Sequence, residues 1–156
     1  DAVVAESEAQ SAGLWHVREA TGEAIVAAGY SHKFDITVPQ GEIPEFLDEM
    51  EALAATLPGI KPLLFGHLGD GNVHANFVQT PEIADKPFLA EGPALAKAVY
   101  GATRARHGSV SAEHGIGTLK RDYLGYSKSP EEISLMRRFK GLLDPNGILN
   151  PGVMLD

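Results

Sequence analysis

Residues 65–77 read Phe65-Gly66-His67-Leu68-Gly69-Asp70-Gly71-Asn72-Val73-His74-Ala75-Asn76-Phe77. Two apolar runs, 61–68 and 73–78, flank Gly69-Asp70-Gly71-Asn72, four residues that all favour turns. The stretch predicts a β-hairpin. With those four residues as the loop, Leu68 pairs with Val73 and His67 lies directly opposite His74. Directly opposed residues share a face, their Cβ atoms about 4.5–5.5 Å apart. Phe65 and Asn76 fall on the same face as the two histidines. Leu64, Gly66, Leu68, Val73, Ala75 and Phe77 fall on the other, which is apolar and suited to packing on helices. Two imidazoles side by side on a rigid sheet can aim ring nitrogens at one ion about 2.0–2.1 Å away. The same pair also fits an exposed polar strand face.

Outward from the hairpin, helices alternate with strands. Residues 6–28 predict a helix with a broad apolar side (Leu14, Trp15, Val17, Ile25), closed by Gly29. Residues 33–39, KFDITVP, alternate as a strand, with Phe34, Ile36 and Val38 on one face and Lys33, Asp35 and Thr37 on the other. Residues 44–57 predict a second helix with Pro44 in its first turn. Residues 88–106 predict a third, with an interruption at Gly92-Pro93. A short strand is expected at 108–112, then a glycine-framed turn, Glu113-His114-Gly115-Ile116-Gly117, and a short helix near Lys120. Ser129-Pro130-Glu131-Glu132 is a capping box that opens a final helix. This order predicts an α+β fold: an antiparallel sheet covered on one face by helices, as in a ferredoxin-like cap domain. The expected division is an α+β domain over residues 1–120 and a helical segment over 121–156. The uncovered sheet face carries Lys33, His67, His74 and Asn76.

Composition narrows the function. The chain has 156 residues, 44% of them hydrophobic, and no cysteine, which excludes disulfides, thiolate nucleophiles and cysteine-ligated metals. A net charge of −8 argues against nucleic acid as a partner. No apolar run approaches the length of a membrane span. Glu113 can complete a His₂Glu set with His67 and His74, which leaves an open position as in catalytic zinc sites. Manganese or iron would also accept these ligands. His114 would then be free as acid or base. Arg18 offers a planar fork and Lys33 a point charge, both suited to a small anion. His16, His32 and His107 have no partner in the pattern. A metal-dependent hydrolase and a non-catalytic metal-binding or interaction module both remain compatible with this set.

Three stretches together resemble a known family: residues 66–74 (GHLGDGNVH), 113–117 (EHGIG) and 143–152 (LDPNGILNPG). In this order they are similar to the C-terminal portion of the FAD-linked oxidases, which include D-2-hydroxyglutarate dehydrogenase, D-lactate dehydrogenase and the flavin subunit of glycolate oxidase. Leu14-Trp15-x-x-Arg18-Glu19 and Lys33-x-Asp35-Ile36-x-Val38-Pro39 match as well. The resemblance implies metal ligation, zinc above all, by His67, His74 and Glu113. It implies His114 as catalytic base, and Arg18, Lys33 and Asn76 as contacts of a small anionic 2-hydroxy acid. It departs at Gly22, where hydroxyglutarate dehydrogenases carry a substrate-binding threonine; here Thr21 is adjacent. The family's FAD is held mainly by an N-terminal domain whose glycine-rich loop does not occur here. The chain is therefore expected to be the substrate domain and tail of a longer flavoprotein, inactive by itself, with a flavin domain of the same protein as partner and an unnamed electron acceptor. Oligomeric state stays open. The expected location is cytoplasmic, or the mitochondrial matrix in a eukaryote, with peripheral membrane association left open.

Overall fold

The computed structural model describes residues 3–155. Helix α1 (Glu8–Ala28) opens on Ser7, whose hydroxyl accepts from Gln10 N. Strand β1 (Ser31–Thr37) follows, then α2 (Ile43–Ala55), β2 (Ile60–His67), β3 (Asn72–Gln79), α3 (Asp85–Ala90), α4 (Gly92–Ala105) and α5 (Pro130–Leu143). The expected third helix is thus two, broken at Glu91 just ahead of Gly92-Pro93. Proline has no N–H for the preceding turn, so it sits in the first turn of α4 instead. The capping box at Ser129 is present, with Ser129 and Glu132 bonding each other's backbone N–H.

The sheet is antiparallel throughout, in the order β1-β3-β2. The predicted strand at 108–112 is reduced to a single bridge between Ser109 and Thr37, with Ala112 N donating to Asp35 O further on. This segment runs along the free edge of β1, which completes the β-α-β-β-α-β order of a ferredoxin-like layer with its last strand curtailed. The short helix expected near Lys120 is a 3-10 segment, Arg121–Tyr126. Its Tyr123 and Tyr126 pack with tilted rings against Tyr100 of α4.

Helices α2 and α4 cover one face of the sheet. Phe34 and Ile36 of β1 and Val73, Ala75 and Phe77 of β3 meet Phe46 and Met50 of α2 and Leu95 and Val99 of α4 there. Burying one such side chain contributes about 1.5–3 kcal/mol. This face is the one the strand alternation assigned to the core.

Two further expectations change. The hairpin register differs by two residues from the predicted one: His67 opposes Asn72, and His74 opposes Phe65. The loop is residues 68–71, a 3-10 turn followed by Gly71 in the left-handed region. Asn72 is a strand residue because its buried amide is bonded to Asp35 and Glu113, contacts no local turn rule contains. Since side chains alternate with period two, a shift of two leaves the strand residues on their predicted faces, while Leu68, expected on the apolar face, falls in the loop and is exposed. The second change concerns α1. It leaves Leu14, Trp15, Val17 and Val26 exposed and buries Ile25 alone. It also crosses the sheet face expected to be uncovered, so the polar face is a cleft with α1 as one wall.

Among the described residues no helix is long and apolar enough to cross a membrane.

Candidate active site

The polar sheet face is a grid of three rows. Lys33, Asn76 and Leu63 form one; Asp35, His74 and Phe65 the next; Thr37, Asn72 and His67 the third. His67 and His74 are therefore diagonal neighbours, their ring centroids 6.3 Å apart and the rings nearly perpendicular. Above the grid lies a cleft of about 360 Å³. All seven residues singled out from sequence line it: Arg18 from α1, Lys33 from β1, His67, His74 and Asn76 from the hairpin, and Glu113 and His114 from the glycine-framed turn.

Glu113 Oε1 accepts from His67 Nδ1 at 3.1 Å and from Asn72 Nδ2 at 3.1 Å. Arg18 Nη2 lies 3.3 Å from His67 Nε2, with its guanidinium 5.0 Å from the Phe65 ring centre. His114 stands half out of the cleft, its ring 5.9 Å from that of His74. Asn76 is buried and spends its amide N–H on the carbonyls of Leu63 and His74. Gly22 lies on the α1 wall, where an added Cβ would meet nothing within 4 Å.

Sequence reasoning passed over three residues here. Asp35 is 3% exposed and sits at the β1 end of the middle row, paired with His74. Its Oδ2 accepts from Glu113 N and His114 N, both at 2.9 Å, and its Oδ1 from Asn72 Nδ2 at 3.3 Å. Asn72 is the second, and Lys120, with Nζ 3.9 Å from Asp35 Oδ2, the third. The available signal was Asp35 itself, a carboxylate between Phe34 and Ile36 in a strand, where aspartate is disfavoured. Burial pushes its carboxyl up, but the two backbone N–H bonds and the charges of His114 and Lys120 outweigh that and hold it below the ordinary carboxylate value. Burial pushes the His74 imidazole down, more than Asp35 and Glu113 push it up. The balance favours the neutral imidazole, which is the ligating form.

One nitrogen each of His67 and His74 and one oxygen of Glu113 lie within 4.8 Å of one another. Two ligands on one ion at 2.0–2.2 Å are at most about 4.4 Å apart, so a small closure suffices for a divalent cation. Asp35, His74 and His114 form a second such group. Asp35 is less suited to ligation, because both its oxygens already accept hydrogen bonds.

Residues 1–154 match the family model of the FAD linked oxidases, C-terminal domain. The chain belongs to this family. It is 43% identical over 154 residues to D-2-hydroxyglutarate dehydrogenase of Stutzerimonas stutzeri (strain A1501), which covers 97% of this chain and 33% of that protein. Over 156 residues it is 42% identical to the mitochondrial D-2-hydroxyglutarate dehydrogenase of Bos taurus, covering 99% of this chain and 27% of the relative. The chain thus spans about a third of the length of these relatives, or less.

Proposed function

We propose that this chain is the substrate- and metal-binding part of a flavin-dependent dehydrogenase that oxidises a D-2-hydroxy acid, with D-2-hydroxyglutarate the first candidate, to the 2-oxo acid. The observation that supports it is the convergence of a His₂Glu donor set, a free imidazole and the cations Arg18 and Lys33 on one cleft. The family and the names of its relatives supply the rest. Bound to His67, His74 and Glu113, a divalent ion, zinc in the first instance, would contribute a charge that lowers the pKa of the substrate hydroxyl. FAD would supply the hydride acceptor.

The chain's own residues do the rest. Arg18 and Lys33 hold carboxylates of the substrate and fix its orientation in the cleft. Asn76 offers a polar contact beside them. Phe65 and Ile25 form an apolar wall that limits water. His114 takes the proton of the 2-hydroxyl, a role suited to an exposed imidazole poised at the mouth of the site. The apolar surfaces of α1 (Leu14, Trp15) and α5 (Phe139, Leu142) are where the flavin-holding remainder of the protein would pack.

The test is metal content by mass spectrometry paired with kcat for variants of the full-length protein. His67→Ala, His74→Ala and Glu113→Ala are expected to abolish stoichiometric metal. His114→Ala is expected to keep it while kcat falls by ~10²–10⁴. Turnover of D-lactate and glycolate beside D-2-hydroxyglutarate fixes the substrate. Metal lost from the His114 variant, or kept in full by the Glu113 variant, would mean that the roles are otherwise distributed.

A further inference from the structure

Glu113 and His114 are neighbours, and on an extended chain neighbouring side chains point to opposite faces. Both nevertheless reach one cleft. The local chain is no strand: Ser111 Oγ donates to Gly115 O at 2.8 Å, and Gly115 and Gly117 have φ of +74° and +57°. Such a turn leaves successive N–H groups pointing the same way, a concavity that suits an anion. The anion it meets is the carboxylate of Asp35, 78 and 79 residues away in sequence, with both bonds 2.9 Å long to the same oxygen.

We propose that Asp35 is the positioning residue of this site: its buried carboxylate binds the backbone of Glu113 and His114 and so turns both side chains into the cleft. The inference rests on the assignment of Glu113 as ligand and His114 as base. The other oxygen of Asp35 reinforces the same arrangement, since it accepts from Asn72, whose amide also donates to Glu113 Oε1. Through one carboxylate the fold sets the backbone of the turn and, by way of Asn72, the side chain of the ligand. Nδ1 of His114 lies 3.6 Å from Asp35 Oδ2, so the negative charge also favours the ring with that nitrogen inward. An amide at position 35 can replace one oxygen only; its NH₂ would then face the amide donor of Asn72. The competing view is that Asp35 is simply the buried counter-ion of Lys120.

Hydrogen exchange resolved to single amides in the full-length wild-type protein is the first measurement. The Glu113 and His114 amides are expected to exchange at least 100-fold more slowly than free loop amides. Exchange at loop rates overturns the proposal without need of any variant, so it remains testable if Asp35→Asn does not fold. In a folded Asp35→Asn protein both amides should lose part of their protection, because a neutral amide oxygen accepts more weakly than a carboxylate, and metal affinity or kcat should fall by about 10- to 100-fold, the usual cost of losing a residue that orients a ligand. KM should change by less than about 3-fold on the same ground, because Arg18 and Lys33 are untouched. Unchanged metal affinity and kcat in Asp35→Asn would overturn the proposal. Lys120→Met should leave the two amides protected; loss equal to that in Asp35→Asn would return Asp35 to the counter-ion role. Full metal and turnover in His67→Ala would instead sink the site assignment, and with it the catalytic purpose given to Asp35, while leaving amide protection as it was.

Discussion

Arg18 and the proposed metal ion would compete for His67. The guanidinium Nη2 sits 3.3 Å from His67 Nε2, a contact that requires Nε2 to be the acceptor nitrogen. If a metal ligates through Nε2, Arg18 must leave. If it ligates through Nδ1, which now faces Glu113, then Nε2 carries the hydrogen and cannot accept from Arg18. In either tautomer the hydrogen bond is lost on ligation. Both groups are solvent-accessible, so the bond is worth about 0.5–1.5 kcal/mol. Arg18→Ala in the full-length protein should therefore tighten metal binding, by roughly 2- to 12-fold on that figure. Removal of a positive charge from the neighbourhood acts in the same direction. The same substitution deletes a charge-assisted clamp on the substrate, worth about 1.5–3 kcal/mol, so KM should rise by roughly 10- to 150-fold. Chelator competition gives the metal affinity and steady-state kinetics the KM. Metal affinity that falls in Arg18→Ala, or a KM that does not move, would refute the reasoning.

Other perturbations read other parts of the fold. A Cβ at Gly66 would collide with the backbone of Val73, its partner across the hairpin, and of the adjacent Asn72, so Gly66→Ala should cost about 1–3 kcal/mol of stability in a thermal or urea melt. Asp144 accepts from Ile148 N and Leu149 N at 2.9 Å each, and from Lys140, whose bond does most to hold its carboxyl below the ordinary value of 3.8. A carboxyl depressed in the folded state stabilises above its unfolded pKa and loses that effect as pH falls through the folded one. Urea midpoints of wild type and Asp144→Asn should therefore differ at pH 7 and converge as pH falls through the depressed folded-state value. The 156 residues alone should unfold cooperatively yet reduce no dye acceptor with D-2-hydroxy acids, because no pyrophosphate-binding glycine loop occurs in them; turnover would contradict the division of labour proposed here.

The grid was legible because a sheet has a two-residue period. Knowing only which residues alternate placed Lys33, His67, His74 and Asn76 on one face, even though the pairing register was two residues out. Register was not legible, because Asn72 reads as a turn former until its buried partners are known. The capping box and the break at Gly92-Pro93 are local events and were visible as such. The course of α1 was not: its apolar residues have helical spacing, but spacing does not say whether a neighbour is present to receive them. Asp35 was hidden for the opposite reason. Its partners are backbone N–H groups nearly eighty residues away, and backbone groups leave no mark in a sequence.

The spacing of these partners also bears on how the chain acquires its shape. His67 and His74 sit on one tight hairpin, seven residues apart, and hairpins form within microseconds. Glu113 joins His67 only across 46 residues, and the Asp35 clamp closes across 78. Loop closure over such lengths is the slow part of building an α+β layer. A nascent chain would thus present two imidazoles to the surrounding solution before Glu113 joins them, and a cation bound at the proposed site would first meet it unfinished.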